Sequence, residues 1–183
     1  MGRPKAFLPF RHGTFLSILA ETLGEFCAPV VAVFGYQGEA LSAQAPAGVN
    51  PVVNPDFEAG MLTSLQTGLR ALDLAGDLAD ARQILFTLVD HPAVARATLA
   101  ALTLSDAPIA IPRFNGRRGH PVAIRAEIAR EFLSEPVTAK VRNVVDRHAA
   151  EIDYIELPDP GITDDIDDPE LYQSLLRREA ARI

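Results

Sequence analysis

Sulfur and tryptophan are scarce. Cys27 is the only cysteine among 183 residues, and tryptophan does not occur. A single cysteine excludes an internal disulfide and a cysteine-built metal site, and it points to a cytoplasmic location. No apolar run approaches the ~18 residues of a membrane span. Arg3 and Lys5 are followed by neither an uninterrupted apolar stretch nor a small-residue cleavage site, so the start makes a poor signal peptide. Positive charge is also short: 17 Lys and Arg face 24 Asp and Glu, a net charge of −7. That balance argues against a nucleic-acid backbone binder. It suits a small anionic ligand only where positive charge or a metal is concentrated locally. There is no G-x-S-x-G elbow and no H-E-x-x-H, full Walker A or G-x-G-x-x-G. With scattered histidines, zinc chemistry is not expected. No internal repeat, low-complexity tract or long linker is visible.

What remains is an ordinary globular composition, 48% apolar and 22% charged, in a length that fits one domain over 1–183. Two apolar periods alternate. Phe15, Ile18, Leu19 and Leu23 share one helical face, with Thr14 as the N-cap. The run 29–35 is β-branched and closed by Gly35, which suits a strand buried on both faces. A weaker strand follows at 50–54. Leu62, Leu65, Leu69 and Leu72 return to helical spacing, with Gly76 as the stop. The run 83–90 is the strongest strand and ends in an acid. Helical 94–102, a strand over 107–114 and a glycine-rich loop at 115–121 come next. Helices over 125–133 and 138–148, a strand over 152–157 and a final capped helix complete the chain. Alternating strands and helices with short connections predict an α/β fold with a mostly parallel sheet flanked by helices. In such folds ligands sit beyond the carboxyl ends of the strands.

Four elements there could carry chemistry. Asp90 closes a buried strand and precedes His91 and Pro92. It could hold Mg²⁺, which favours a few carboxylates plus phosphate oxygens, or simply cap the helix near 94. The stretch "DDIDDPE" holds Asp164, Asp165, Asp167 and Asp168. A helix N-terminus accounts for Asp168 and Glu170 but leaves Asp165 and Asp167 unexplained; a divalent ion shared with Asp90 would neutralise part of the charge. "NGRRGHPVAI" is either a β-turn with solvated arginines or a donor-rich loop with His120. Gly60 and Ser64 open a helix whose free N–H groups can meet a base edge or an anion, although most such starts meet only water.

Together these residues resemble the MobA-like nucleotidyltransferases. "MGRPKAFLPF" is similar to the second half of that family's opening motif L-A-A-G-x-S-x-R-M-G-x-x-K-x-L-L-P. "NPDFEAGMLTSLQTGL", "LVDHP", "NGRRGHPVAI" and "DPGITDDIDDPELY" resemble its later motifs, collinearly to about residue 172. The resemblance implies a Rossmann-like GT-A type fold and Mg²⁺-dependent nucleotidyl transfer from an NTP to a phosphorylated acceptor, with release of pyrophosphate. It implies Lys5 on the triphosphate, Gly60 and Ser64 near base and ribose, Asp90 on the metal with Asp167 and then Asp165, and Gly119, His120 and Pro121 around the acceptor. Lys5 and Asp90 are then the catalytic pair. The "GHPV" and "VDHP" forms favour CTP over GTP, and molybdopterin as acceptor, with a molybdoenzyme as onward partner. A non-catalytic relative that binds molybdopterin or nucleotide, and a sugar-phosphate nucleotidyltransferase, are the alternatives.

His91 replaces the usual glutamine and Asp168 the usual threonine. The L-A-A-G-x-S-x-R half, which brings the first strand and the glycine-rich triphosphate loop, has no counterpart. About four buried apolar side chains at ~1.5–3 kcal/mol each make such a strand worth roughly 6–12 kcal/mol. That is of the order of a domain's whole net stability, ~5–15 kcal/mol. Met1 coincides with the family's internal methionine, so an upstream in-frame start is expected.

Overall fold

The computed structural model describes residues 3–181; Met1 and Gly2, the first two residues of the opening motif, lie outside them. A 3-10 turn at Lys5–Phe7 leads into β1 (Pro9–Phe10) and β2 (Gly13–Thr14), an antiparallel pair. α1 spans Phe15–Gly24. Its start is closed in both directions: Thr14 Oγ1 accepts from the Ser17 N–H at 3.2 Å, and Ser17 Oγ accepts from the Thr14 N–H at 2.8 Å. This reciprocal cap satisfies two donors the helix cannot. Then come β3 (Val30–Phe34), α2 (Gly38–Ser42), β4 (Val49–Val53), α3 (Met61–Leu74), α4 (Asp77–Asp80) and β5 (Gln83–Phe86). The remainder is α5 (Arg96–Leu104), β6 (Ile109–Phe114), β7 (Arg117–Arg118), β8 (Val122–Arg125), α6 (Ala126–Ser134), α7 (Val141–Arg147), β9 (Ile152–Glu156) and α8 (Pro169–Ala180).

The α/β architecture expected from the alternating periods is present. β3 and β4 pair in parallel from Val30↔Val49 to Phe34↔Val53. In the main sheet β8 runs antiparallel between β5 and β6, so β5 and β6 point the same way, and β9 lies parallel beside β6. Helices cover both faces. Ile84 and Phe86 of β5 pack with Leu62 and Leu69 of α3. Leu85, one residue out of phase, packs with Leu19 and Leu23 of α1. The period of two along a strand sends successive side chains to opposite sides, so α1 and α3 lie on opposite faces of β5.

The structure differs from the sequence expectation at several points. The strand expected over 83–90 ends at Phe86, because its ladder with β8 runs only from Gln83↔Arg125 to Phe86↔Val122. The helix expected from 94 begins at Arg96. Asp159, 5% exposed, takes the Ala95 N–H at 2.8 Å and the Thr98 hydroxyl at 2.6 Å, which sets that start. The glycine-rich stretch folds as a tight hairpin, with Phe114 opposite Arg117. Asn115 and Gly116 both have positive φ, 50° and 75°, the combination a type I′ turn requires.

The most consequential difference concerns β3 and β5. The first read as a strand buried on both faces and the second as a buried apolar strand, yet Val30–Val33 and Gln83–Phe86 are only half-buried. Among the described residues β3 pairs with β4 alone and β5 with β8 alone. Between them runs an apolar trough of about 450 Å³. Leu65 and Leu72 of α3 border it and are half-buried, whereas Leu62 and Leu69 are fully buried.

Candidate active site at the end of β5

Asp90 stands four residues beyond the last residue of β5, with its side chain 17% exposed. It does not cap α5, whose cap position belongs to Ala95. The acid-rich loop reaches it from the far end of the sequence, and the loop's conformation follows from what it buries. Asp164 turns inward to a two-pronged ion pair with Arg178 of α8. Ile166, 3% exposed, inserts among Leu8, Phe10, Phe15 and Leu175, and its N–H donates to the Asp90 carbonyl at 3.4 Å. With residues 164 and 166 anchored, positions 165 and 167 face the other way. Asp165 and Asp167 therefore meet Asp90, and one carboxylate oxygen from each of the three lies within 4.8 Å of the others. Asp168 does what a helix start asks: its side chain accepts from the Glu170 and Leu171 N–H groups, both at 2.8 Å.

Lys5 closes the cluster. Its ammonium is 3.4 Å from Asp90 Oδ2 and hydrogen-bonds Asp167 at close range. Partial burial works against the Lys5 charge, but Asp167 and Asp90 outweigh it and raise its pKa. The same contact holds the Asp167 carboxyl below its ordinary value. Asp165 goes the other way: desolvation, then the charges of Asp167 and Asp90, push it up. A third acid that resists ionisation marks a cluster with more negative charge than one lysine neutralises.

Behind the acids lie two histidines. His91 is 7% exposed, with Nε2 3.7 Å from Asp90 Oδ1. Its ring sits 5.1 Å from that of His120, which in turn packs edge-on to Phe86 at 6.1 Å. Burial, and secondly the neighbouring His91, lower His120 to about 4. Burial likewise lowers His91, against the pull of Asp90. Asp90 Oδ1, His91 Nδ1 and His120 Nδ1 are buried without hydrogen-bond partners. The "GHPV" segment is pinned to the turn before the acid loop, because the His120 N–H donates to the Ile162 carbonyl at 2.9 Å. Gly119 lies so close that a Cβ there would fall 2.3 Å from that same oxygen. Pro121 is buried beside it.

The structure thus brings Lys5, Asp90, Asp165 and Asp167 together and sets His120 beside His91, next to Asp90. Gly60 and Ser64 stand apart: no hydrogen bond or ion pair ties either to the acids among the described residues. Gly60 has φ 116° and opens α3. Ser64 Oγ accepts from the Asn54 side chain at 3.0 Å and lines the trough with Thr87, Leu88 and Val89. Sequence reasoning did not single out Arg178 or Asp159. The available signal was an arginine pair two turns after an acidic helix start, which also reads as a favourable helix C-terminus.

A buried carboxylate oxygen without a partner, next to two further carboxylates and one ammonium, suits a hard divalent cation. A helix-covered α/β sheet with such acids beyond a strand end fits a nucleotidyltransferase. Residues 1–152 match the MobA-like NTP transferase domain, and the chain belongs to that family. It is 25% identical over 175 residues to the molybdenum cofactor cytidylyltransferase of Escherichia coli (strain K12), spanning 89% of this chain and 88% of that one. To the nicotine blue oxidoreductase of Paenarthrobacter nicotinovorans it is 34% identical over 195 residues, spanning 96% and 90%. Its fold is shared with Rv0371c of Mycobacterium tuberculosis H37Rv, at TM-score 0.76 and 22% identity over 97% of this chain and 91% of that one. The manganese complex of that protein gives TM-score 0.71 and 24% identity, over 96% and 93%.

Proposed function

We propose that the chain transfers a nucleotidyl group from an NTP, CTP by preference, to a phosphorylated acceptor of the molybdopterin type, with Mg²⁺ as cofactor and pyrophosphate as the second product. The observation that carries this is the convergence of Asp90, Asp165 and Asp167 around Lys5. Asp90 and Asp167, with Asp165 beside them, would hold the cation. When bound, it supplies charge neutralisation and orientation for the phosphates. Lys5 offers an ammonium to the same phosphates, and its acid partners keep it protonated. The reaction is attack by an acceptor phosphate oxygen on the α-phosphorus, so positioning and electrostatics carry the rate. Gly119, His120 and Pro121 form a rigid wall beside Asp90, and that wall is our candidate boundary of the acceptor pocket. The cytidylyltransferase likeness and the manganese-bound structural neighbour both support the reading.

One observation favours a second reading, in which molybdopterin or nucleotide is bound but not transferred: the relative at 34% identity carries a name that is not a transferase's. The two separate in one experiment. Mn²⁺ binding and pyrophosphate release from CTP are measured with molybdopterin and with sugar phosphates as acceptors, for the protein and for Asp90→Asn. We expect Asp90→Asn to lose cation binding at least tenfold and to abolish release while melting unchanged. Equal Mn²⁺ affinity in the two proteins overturns the metal assignment. Nucleotide binding without release from any acceptor selects the second reading.

A further inference from the structure

We infer that Arg118, side by side with Arg113 on the ring of Tyr154, is an anion seat that takes a terminal phosphate group, the phosphate being that of the acceptor. Only the last clause, which gives the phosphate to the acceptor, rests on the transfer reading.

The seat starts from a costly pairing. The hairpin of β6 and β7 has two pairs, Arg113↔Arg118 and Phe114↔Arg117. Side chains directly opposite in an antiparallel ladder stand roughly 5 Å apart at Cβ, and like charges there destabilise it. The turn itself asks only for positive φ at Asn115 and Gly116, not for arginine opposite arginine. Residues 113–120 hold three arginines and no acid, in a chain of net charge −7.

One of the two guanidiniums is answered within the fold. Arg113 donates to the Gly116 carbonyl through Nε at 3.3 Å and Nη2 at 3.0 Å, and lies 3.9 Å from the Glu156 carboxylate. Glu156 is held in turn by the Gly116 N–H at 3.2 Å. Arg118 is exposed, and its side chain makes no hydrogen bond or ion pair among the described residues. It is placed nonetheless: its Cζ lies 4.8 Å from the centre of the Tyr154 ring, with that of Arg113 at 5.4 Å. A guanidinium resting on an aromatic face keeps its donors and is weakly hydrated. It has also given up side-chain freedom that a ligand would otherwise have to remove.

Sheet geometry sets this seat on the face where His120 packs. Tyr154 stands opposite Ile111 in the ladder of β9 with β6, and both pack in the cluster that holds Phe86. His120 lies edge-on to Phe86. The link between Arg118 and His120 is short and fixed. The Gly119 N–H donates to the Pro112 carbonyl at 2.9 Å, one residue before the bond from His120 to Ile162. The arginines and the wall beside Asp90 therefore move as one unit.

Charge and fork geometry fix the ligand. The Lys5 ammonium is already engaged by Asp90 and Asp167. A phosphorylated acceptor approaching those acids is repelled, and a cation on its own side offsets the repulsion and steers it in. One guanidinium fork satisfies a carboxylate, whereas the three oxygens of a terminal phosphate can accept from two arginines at once. Arg113 has its carboxylate already, in Glu156.

The test titrates inorganic phosphate into the full chain by calorimetry, without divalent cation, for the protein, Arg118→Met, Arg118→Lys and Arg82→Met. Methionine keeps an apolar stem against Tyr154 and removes the charge. Arg82, exposed and paired with Asp106, is the control for net charge. We expect Arg118→Met to weaken phosphate about tenfold, Arg118→Lys to recover part of the loss, and Arg82→Met to match the parent. Equal phosphate affinity in the parent and Arg118→Met overturns the seat. An octaglutamate peptide is titrated alongside; tighter binding than phosphate, lost with Arg118, overturns the phosphate assignment in favour of an acidic protein surface. Failure of the transfer reading looks different. Phosphate binding that depends on Arg118, with no pyrophosphate release from CTP and any acceptor, supports the seat and overturns only its assignment to the acceptor. Where release occurs, we expect the KM of the acceptor to rise about tenfold in Arg118→Met while that of CTP does not; an unchanged acceptor KM overturns the assignment.

Discussion

Replacing His120 by phenylalanine removes one proton-binding ring from behind the acids and keeps the ring that packs on Phe86 and His91. In the folded protein His120 stays neutral down to about pH 4, first because it is buried and second because His91 lies beside it. In an unfolded chain the same ring takes its proton near pH 6.5. Between those values the unfolded state binds more protons than the folded one, so stability rises with pH across that window. The contribution is fully present above about pH 6.5 and is lost as pH falls toward 4. A fall from 6.5 to about 4, at roughly 1.4 kcal/mol for each tenfold change, amounts to roughly 3 kcal/mol. That is a large fraction of a typical net stability of ~5–15 kcal/mol. Urea unfolding followed by circular dichroism at half-unit steps from pH 4.5 to 7 reads it directly. The other titrating groups are common to the two proteins, so the difference between the curves reads this ring together with its effect on the adjacent His91. We expect the unsubstituted protein to lose about 2 kcal/mol more than His120→Phe on going from pH 7 to 4.5, the rest of the loss falling below that range. Parallel curves would show that the ring titrates alike folded and unfolded, and the burial argument would fail.

Two further substitutions probe what holds the site. Gly119→Ala places a methyl 2.3 Å from the Ile162 carbonyl oxygen and 2.7 Å from its carbon. Backbone cannot swing aside as a flexible side chain can, so we expect a loss of about 1–3 kcal/mol in urea unfolding; unaltered stability would refute the contact. Arg178→Met strands the Asp164 carboxylate, and because the arginine is one-third exposed we expect about 1–3 kcal/mol rather than the 3–5 kcal/mol of a fully buried pair. Mn²⁺ affinity should fall at least tenfold as the acid loop loosens, with partial rescue by Arg178→Lys; unchanged affinity means Arg178 does not position Asp165 and Asp167.

Much of the fold is legible in the sequence because local periods survive folding. Phe15, Ile18 and Leu19 repeat at helical spacing and are buried as that spacing predicts. Val30–Phe34 is β-branched and forms a strand. Where β5 would end was not legible, since its length depends on the partners along each edge and not on its own residues. The start of α5 was equally hidden: Asp159, more than sixty positions away, fixes it. The candidate site divides along the same line. Asp90 stands out because a strand-shaped apolar run ends in an acid. A cation shared with Asp165 and Asp167 could be raised from the crowding of like charges alone, but only likeness to a family assigned those acids to it, since no local pattern announces a contact across seventy-five positions. Arg178 was masked because a basic residue near a helix end already has a sufficient local explanation.

The last helix reaches both ends of the story. Tyr172 donates its hydroxyl to the Pro9 carbonyl, Glu179 pairs with Arg11, and Arg178 grips Asp164. The first dozen residues and the acid loop are thus fastened by the same twelve-residue element, Pro169–Ala180. If that element came loose the sheet could stay paired, but the carboxylates would no longer be gathered. The charged centre is therefore only as durable as the docking of α8, and a chain with that helix undocked carries no cation seat.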